Sequence, residues 1–125
     1  MSSKKKAFVG MLLFGALSSS FVYAATSYQS FSGTVPGINS SWYSSTQFKS
    51  TSNALAGLKL NSTGGATLDA RTNSGAGNGA WTRAVSGGNT YSLDSPQVAS
   101  AAVQLELNTN FFQGSVPVTG QWRSN

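Results

Sequence analysis

The sequence predicts an all-β protein, namely an antiparallel β-sandwich of about seven or eight short strands after a cleaved signal peptide. Short segments alternate apolar and polar residues with a period of two, and Gly, Asn, Ser and Pro separate these segments. No long helical pattern competes with them. The chain has 125 residues and no cysteine, so one modest core has to stabilise the fold without disulfides. A small closed barrel is the alternative that the pattern does not separate from a sandwich.

The first segment is predicted to be a secretory signal peptide. Three lysines at residues 4–6 precede an apolar run over residues 7–24. Val22 and Ala24 are small residues at the −3 and −1 positions of a cleavage site before Ala25. The prediction is therefore a leader over residues 1–24 and a single secreted, extracellular domain over residues 25–125.

A retained transmembrane anchor is the alternative for the leader, because about 18 apolar residues barely span a bilayer. The run is interrupted by Gly10, Gly15 and the serines at residues 18–20. No second apolar run of that length follows, so the sequence predicts no stable membrane span after processing.

The first two strands are predicted at residues 29–35, ending at Pro36-Gly37, and at residues 41–49. Alternation along the second strand turns Trp42 and Phe48 inward. It turns three residues outward: Tyr43, Gln47 and Lys49.

The next strands follow Gly-rich or Asn-rich turns and are predicted at residues 54–60, 66–71, 80–86 and 90–93. In the second of these, Leu68 points inward while Asp69 and Arg71 point outward. In the third, Trp81 and Val85 share the inward face. Residues 75–79 are predicted to form a flexible loop rather than a phosphate-binding loop, because no helix follows them.

The segment after Pro96 fits two patterns. Val98, Ala101, Ala102 and Leu105 have helical spacing, but Val103, Leu105 and Leu107 also alternate with polar residues. We favour a strand from about residue 103 to 108, followed by a last strand pair carrying Phe112, Val116 and Val118. The predicted core is Phe31, Trp42, Phe48, Leu58, Leu60, Leu68, Trp81, Val85, Val103, Leu105 and Val116.

Missing residue types exclude several chemistries. Without His or Cys the chain cannot build a Ser-His-Asp triad, a thiol nucleophile or an ordinary zinc site. Hydrolysis by paired carboxylates would need two of Asp69, Asp94 and Glu106 in one cleft. Alternation and turn signals predict all three to be solvent-facing or turn residues. The sequence therefore predicts no enzyme, no catalytic residue, no cofactor and no metal site.

Charge argues against nucleic acid as a partner. The whole chain is formally +5, and removing three leader lysines from eight cations leaves five against three acidic residues, or +2. These cations are scattered singly along the mature chain, so no stripe neutralises many phosphates at once.

Aromatic residues are the remaining candidates for binding. Tyr43 is predicted to be exposed beside Gln47 and Lys49, and an aromatic ring near amide and hydroxyl groups can stack on a sugar ring. These three residues form the predicted binding site. For Trp81 and Trp122, packing is preferred over a ligand platform.

Three segments carry a family resemblance. The leader, the run Gly79-Ala80-Trp81-Thr82-Arg83-Ala84-Val85 and the segment at residues 118–122 resemble small, cysteine-free β proteins exported by Gram-positive bacteria. Residues 78–93 are similar to the Gly-x-Trp-Ala-Lys-Ala segment of lactococcin-like bacteriocins, which are β-sandwiches. The chain lacks the His-rich stretch and the Tyr-Tyr-rich end of that family, so no target-recognition residue carries over.

Two function classes follow from these observations. The first is a secreted, non-enzymatic protein that acts at cell surfaces in the manner of a bacteriocin, an antimicrobial role that the resemblance implies. The alternative is a glycan-binding or cell-wall-binding module that uses Tyr43. The predicted partner is a component of the cell envelope or a surface glycan.

Overall fold

The computed structural model describes residues 23–125 as two β-sheets packed face to face, which confirms the predicted all-β sandwich. This part of the chain contains ten strands and no helix. The strands are β1 Tyr23–Ala24, β2 Gln29–Val35, β3 Ser41–Tyr43, β4 Gln47–Phe48, β5 Ala56–Ser62, β6 Thr67–Asn73, β7 Thr82–Ser86, β8 Asn89–Leu93, β9 Ala102–Asn108 and β10 Val116–Arg123.

The first sheet has six strands and is centred on β9. One edge of β9 pairs with β6, and the two short strands β3 and β4 share its other edge. β7 continues the sheet beyond β6, and β1 pairs with β4. The second sheet has four strands in the order β2-β10-β5-β8. Among the described pairings only β1 with β4 is parallel, which is typical of a chain built from short antiparallel connections.

The core lies between the two sheets and follows the period-two alternation of the long strands. Val103, Leu105 and Leu107 face inward from β9, and Trp122 on β10 is 1% exposed. Burial of each such side chain contributes about 1.5–3 kcal/mol relative to exposure. The fully packed cluster is Val35, Ala56, Leu58, Leu60, Leu68, Ala70, Val85, Leu93, Val103, Leu105, Leu107, Val116, Val118 and Trp122. Seven of these were in the predicted core: Leu58, Leu60, Leu68, Val85, Val103, Leu105 and Val116.

Four aromatic predictions for the interior differ from the structure in degree or in kind. Phe31 and Trp42 are only partly buried, with ring centroids 5.4 Å apart against the edge of the core. Phe48 is exposed, and Trp81 is half-buried outside the core cluster. The predicted final strand pair is also wrong, because one long strand, β10, starts at Val116 and Phe112 lies in the loop before it.

The ambiguous segment after Pro96 is resolved in favour of a strand. β9 begins at Ala102, and the preceding residues form an irregular lead-in rather than a helix. The contacts of Gln97 favour this irregular conformation over a helix. Its buried side chain donates to Thr72 Oγ1 at 3.0 Å and to the Gly77 carbonyl at 2.9 Å. These bonds hold the lead-in against β6 and against the Gly-rich loop that follows β6.

Most of the predicted leader lies outside the described residues. Only its last two residues are described, as strand β1, and the predicted cleavage before Ala25 would remove that strand from the sheet. Within residues 23–125, no helix is long and apolar enough to cross a bilayer.

Candidate binding face

The structure separates the three residues predicted to bind together. Tyr43 ends β3 on the outer side of the six-stranded sheet and is 47% exposed. Gln47 and Lys49 are instead buried, Lys49 with only 2% of its surface exposed. The prediction that all three share an exposed surface is therefore wrong, while a binding role for Tyr43 stays a prediction.

An extra residue between β3 and β4 causes this difference. Trp42 on β3 pairs with Leu107, and Gln47 on β4 pairs with Val103. The chain therefore advances five residues from β3 to β4 while β9 advances four. Each added residue reverses which face the following side chains point to. Ser44 stabilises the irregularity, because its Oγ accepts the Leu105 N–H at 2.9 Å. Gln47 consequently points inward, and Phe48 points to solvent.

Gln47 and Lys49 have structural contacts at the end of the chain. The Gln47 amide donates to the Trp122 carbonyl at 3.1 Å and accepts the Ser124 N–H at 2.7 Å. Lys49 Nζ donates to the Ala54 and Ser124 carbonyl oxygens at 2.6 and 2.8 Å. Burial lowers the pKa of the Lys49 ammonium below its ordinary value. Both side chains therefore fasten the segment after β10 to the first sheet.

The outer side of the six-stranded sheet carries a polar cluster centred on Glu106. We call it the Glu106 face, formed by Ser41, Tyr43, Arg71, Asn73, Trp81 and Glu106. Glu106 lies in the middle because it pairs with Tyr43 across one edge of β9 and with Arg71 across the other. The strand spacing of about 4.8 Å places the Tyr43 and Arg71 backbones roughly 10 Å apart.

Four donors satisfy the Glu106 carboxylate. Its Oε2 accepts from Ser41 Oγ at 2.6 Å and from Tyr43 Oη at 3.4 Å. Its Oε1 accepts from Arg71 Nε at 2.7 Å and from Asn73 Nδ2 at 3.1 Å. Burial by itself raises the pKa of this carboxyl, but the hydrogen bonds and the Arg71 charge outweigh burial and lower it. Glu106 is therefore a buried anion, contrary to the prediction that it faces solvent.

Trp81 belongs to this face and not to the core. Leu68 pairs with Val85 and Ala70 with Thr82, so two steps along β6 oppose three along β7. This bulge, where Ala84 has a positive φ of 58°, puts Trp81 and Val85 on opposite sides. The Trp81 ring lies against the Arg71 guanidinium, 4.3 Å from the ring centroid, with Arg83 at 5.5 Å.

The other two carboxylates also have structural partners. Asp69 lies on the same outer side as Glu106, where it pairs with Arg83 Nη1 at 2.7 Å and accepts the Ala84 N–H at 3.2 Å. Asp94 is exposed directly after β8, which agrees with the prediction that it is a solvent-facing or turn residue, and it accepts the Ala80 N–H at 2.9 Å. Two of the three acids therefore share a surface, but hydrogen bonds or ion pairs engage each of them.

The chemistry of this face is that of recognition by stacking and hydrogen bonding. Tyr43 and Trp81 offer aromatic surface on either side of the Glu106–Arg71 pair. In the part of the chain that the structure describes, no side chain accepts from the terminal nitrogens of Arg71, whose side chain is 25% exposed. Among the same residues, no group of three or more His, Cys, Asp or Glu side chains is placed to hold a metal ion.

Sequence reasoning missed the assembly of this face, although part of the signal was present. The outward positions of Asp69 and Arg71 on β6 were predicted, and the same alternation extends to Asn73. Nothing in the local pattern joins them to Ser41, which lies 65 positions from Glu106. Comparison with protein-family models, with curated proteins and with solved structures found no match for this chain.

Proposed function

We propose that this chain is a secreted, non-enzymatic binding protein whose Glu106 face recognises carbohydrate of a cell envelope. The observation that carries the proposal is the placement of two aromatic residues, Tyr43 and Trp81, on either side of the Glu106–Arg71 pair, in which both carboxylate oxygens accept hydrogen bonds. A pyranose ring has C–H groups on its faces and hydroxyls around its rim, so it suits aromatic rings set beside hydrogen-bonding groups.

The bonding of the face supports recognition over hydrolysis. A glycosidase needs one carboxyl that holds a proton near neutral pH and a second that attacks or activates water. The pKa of Glu106 is lowered, and both of its oxygens accept hydrogen bonds. Asp69 is tied to Arg83. The lowered pKa keeps Glu106 ionised, and the contacts of the two acids orient Arg71 and Arg83.

Preorganisation gives the proposal its physical basis. Arg71 is held from one side by Glu106 and from the other by the Trp81 ring. A ligand therefore meets a guanidinium whose rotamers are already restricted, which lowers the entropy cost of binding. Its terminal nitrogens are donors suited to sugar hydroxyls and to carboxylate groups of acidic glycans.

Retention on insoluble glycans tests the proposal. The protein is mixed with peptidoglycan and with neutral polysaccharide, and bound and free fractions are measured for the parent, Tyr43→Ala and Trp81→Ala. Each substitution is expected to weaken retention by about tenfold or more, equivalent to about 1.4 kcal/mol. Tyr28→Ala is the matched control, because the Tyr28 ring also lies between two cations, Lys59 at 4.2 Å and Arg123 at 4.7 Å.

Two outcomes would overturn the proposal. One is the absence of retention of the parent protein on every glycan, and the other is equal retention of the parent, Tyr43→Ala and Trp81→Ala. Release of reducing sugar by the parent, with loss of release in Glu106→Gln, would contradict the non-enzymatic part alone.

Growth inhibition is the second candidate, and it rests on the resemblance to lactococcin-like bacteriocins. Purified protein is added to cultures of neighbouring bacteria, and growth is compared with buffer. Inhibition that persists in Tyr43→Ala would place the antibacterial activity outside the Glu106 face. No effect on any strain would remove this candidate and leave glycan binding untouched.

A further inference from the structure

One end of the sandwich carries exposed apolar residues on loops without charge. Four connections meet at this end, at residues 36–40, 63–66, 87–88 and 109–115, and none contains Asp, Glu, Lys or Arg. We call it the loop end. Phe112 is 92% exposed here, and Phe111 and Ile38 are 65% and 67% exposed.

Hydrogen bonds hold the two apolar loops in place. The Ile38 N–H donates to the Gln113 carbonyl at 2.8 Å, and the Asn39 N–H donates to the Asn110 carbonyl at 3.0 Å. Asn110 Oδ1 also accepts the Phe112 N–H at 2.9 Å, and Gln113 Nε2 donates to the Thr67 carbonyl at 2.6 Å. The exposed side chains are therefore presented on a fixed framework.

The backbone at Ile38 adds a second, independent observation. Its φ is 59°, in the left-handed region that a β-branched residue rarely occupies. A glycine or asparagine would adopt this conformation at lower cost and would leave no apolar side chain in water. Strain that is retained at an exposed apolar residue points to a function for that side chain.

The shape and charge of the loop end favour a lipid surface as its partner. Phe111 and Phe112 form an edge-to-face pair, with centroids 5.3 Å apart, at the tip of a loop. A protruding tip of phenylalanine rings can be buried at the boundary between lipid headgroups and acyl chains, where the apolar faces of interfacial helices place Phe and Leu. None of the four loops carries a charge, so insertion of their tips desolvates no charged residue of the loops themselves. Asp69 and Arg83, which line a cavity together with Gln113, are paired with each other, so anionic lipid is not required.

We propose that the loop end inserts Phe111, Phe112 and Ile38 into the interface of an uncharged lipid bilayer. This site is separate from the Glu106 face and does not depend on carbohydrate binding.

Local probes test the insertion in the full chain. Because the chain has no cysteine, Ser115→Cys beside the phenylalanines and Ser50→Cys at the opposite end each give one labelling site for an environment-sensitive fluorophore. The vesicles are pure phosphatidylcholine, with or without a lipid-borne quencher. We expect a blue shift and quenching of the fluorophore at position 115 and neither change at position 50. Attachment of the chain to the vesicle through residues 1–22 alone would not produce this difference between the two positions.

A variant pair measures the contribution of the apolar side chains. The double variant Phe111→Ser/Phe112→Ser is expected to abolish the spectral response of the probe at position 115. Leu55→Ser is the control, because Leu55 is 56% exposed and lies outside the loop end. It should leave the response unchanged, and added salt should have no effect since no ion pair is involved.

Three results would overturn the inference. They are no response of the position 115 probe to phosphatidylcholine, an undiminished response in the double variant, and a response that requires anionic lipid and disappears in salt. A response that requires anionic lipid and disappears in salt would mean that the scattered cations, and not the apolar loops, attract the protein to the membrane.

Discussion

Replacing Trp81 and Trp122 by alanine provides the sharpest test of the sheet register. The two tryptophans differ in environment: Trp122 is 1% exposed among the core side chains, whereas Trp81 is half-buried on the outer side of the first sheet. Trp81 would also point into the core if β7 were a regular strand. The bulge at Ala84 is what separates them.

The expected magnitudes follow from these environments. Trp122→Ala removes a buried aromatic ring, which costs about 3–5 kcal/mol. Trp81→Ala removes two cation–π contacts, to Arg71 at 4.3 Å and Arg83 at 5.5 Å. Each such contact contributes about 0.5–1 kcal/mol at exposed sites, so the loss is about 1–2 kcal/mol.

Urea denaturation followed by circular dichroism measures both free energies of unfolding. The midpoint of Trp122→Ala should fall at least about twice as far as that of Trp81→Ala, with unchanged slopes in two-state unfolding. Tyr28→Ala, which removes a ring between Lys59 and Arg123, should match Trp81→Ala. An equal or larger loss for Trp81→Ala would mean that this side chain points into the core and that the assigned register is wrong.

Three further predictions concern polar and backbone sites. Glu106→Gln should lower the free energy of unfolding by about 1–3 kcal/mol at pH 7. The folded pKa of Glu106 is lowered from 4.5, so the stability that the carboxylate contributes is lost as pH falls from 4.5 through the lowered value. Urea melts at decreasing pH should therefore show the difference between parent and variant shrinking. Lys49→Met tests the same direction at alkaline pH. The folded pKa of Lys49 is lowered from 10.5, so the unfolded chain binds more protons between the two values and the parent should gain stability with rising pH there; a variant with the same gain would contradict the assignment. Gly79→Ala should reduce the thermal midpoint sharply, because a Cβ would collide with the Asp94 carbonyl and lie 2.5 Å from Thr72 Oγ1, while Gly75→Ala, with open space around it, should not.

The sandwich itself was predictable because its long strands are regular. Strand β2 falls at residues 29–35 as predicted, and β5, β6 and β9 lie within about two residues of their predicted positions. In these strands a period-two pattern is enough to assign the inward face, since one side packs on the core and the other meets solvent. Leu58, Leu68 and Leu105 were therefore assigned correctly to the interior.

The amino-acid sequence by itself determined the all-β class, the inward residues of the regular strands and the absence of His and Cys chemistry. Only the tertiary structure decided which way Gln47, Lys49 and Trp81 point. Each of them follows or precedes a β-bulge, and a bulge is recognised only when a strand is compared with its partner, which has one residue fewer over the same length. The same holds for the Glu106 face. Ser41 and Arg71 come from two different strands that meet only at β9, so long-range pairing, and no local pattern, brings their donors to one carboxylate.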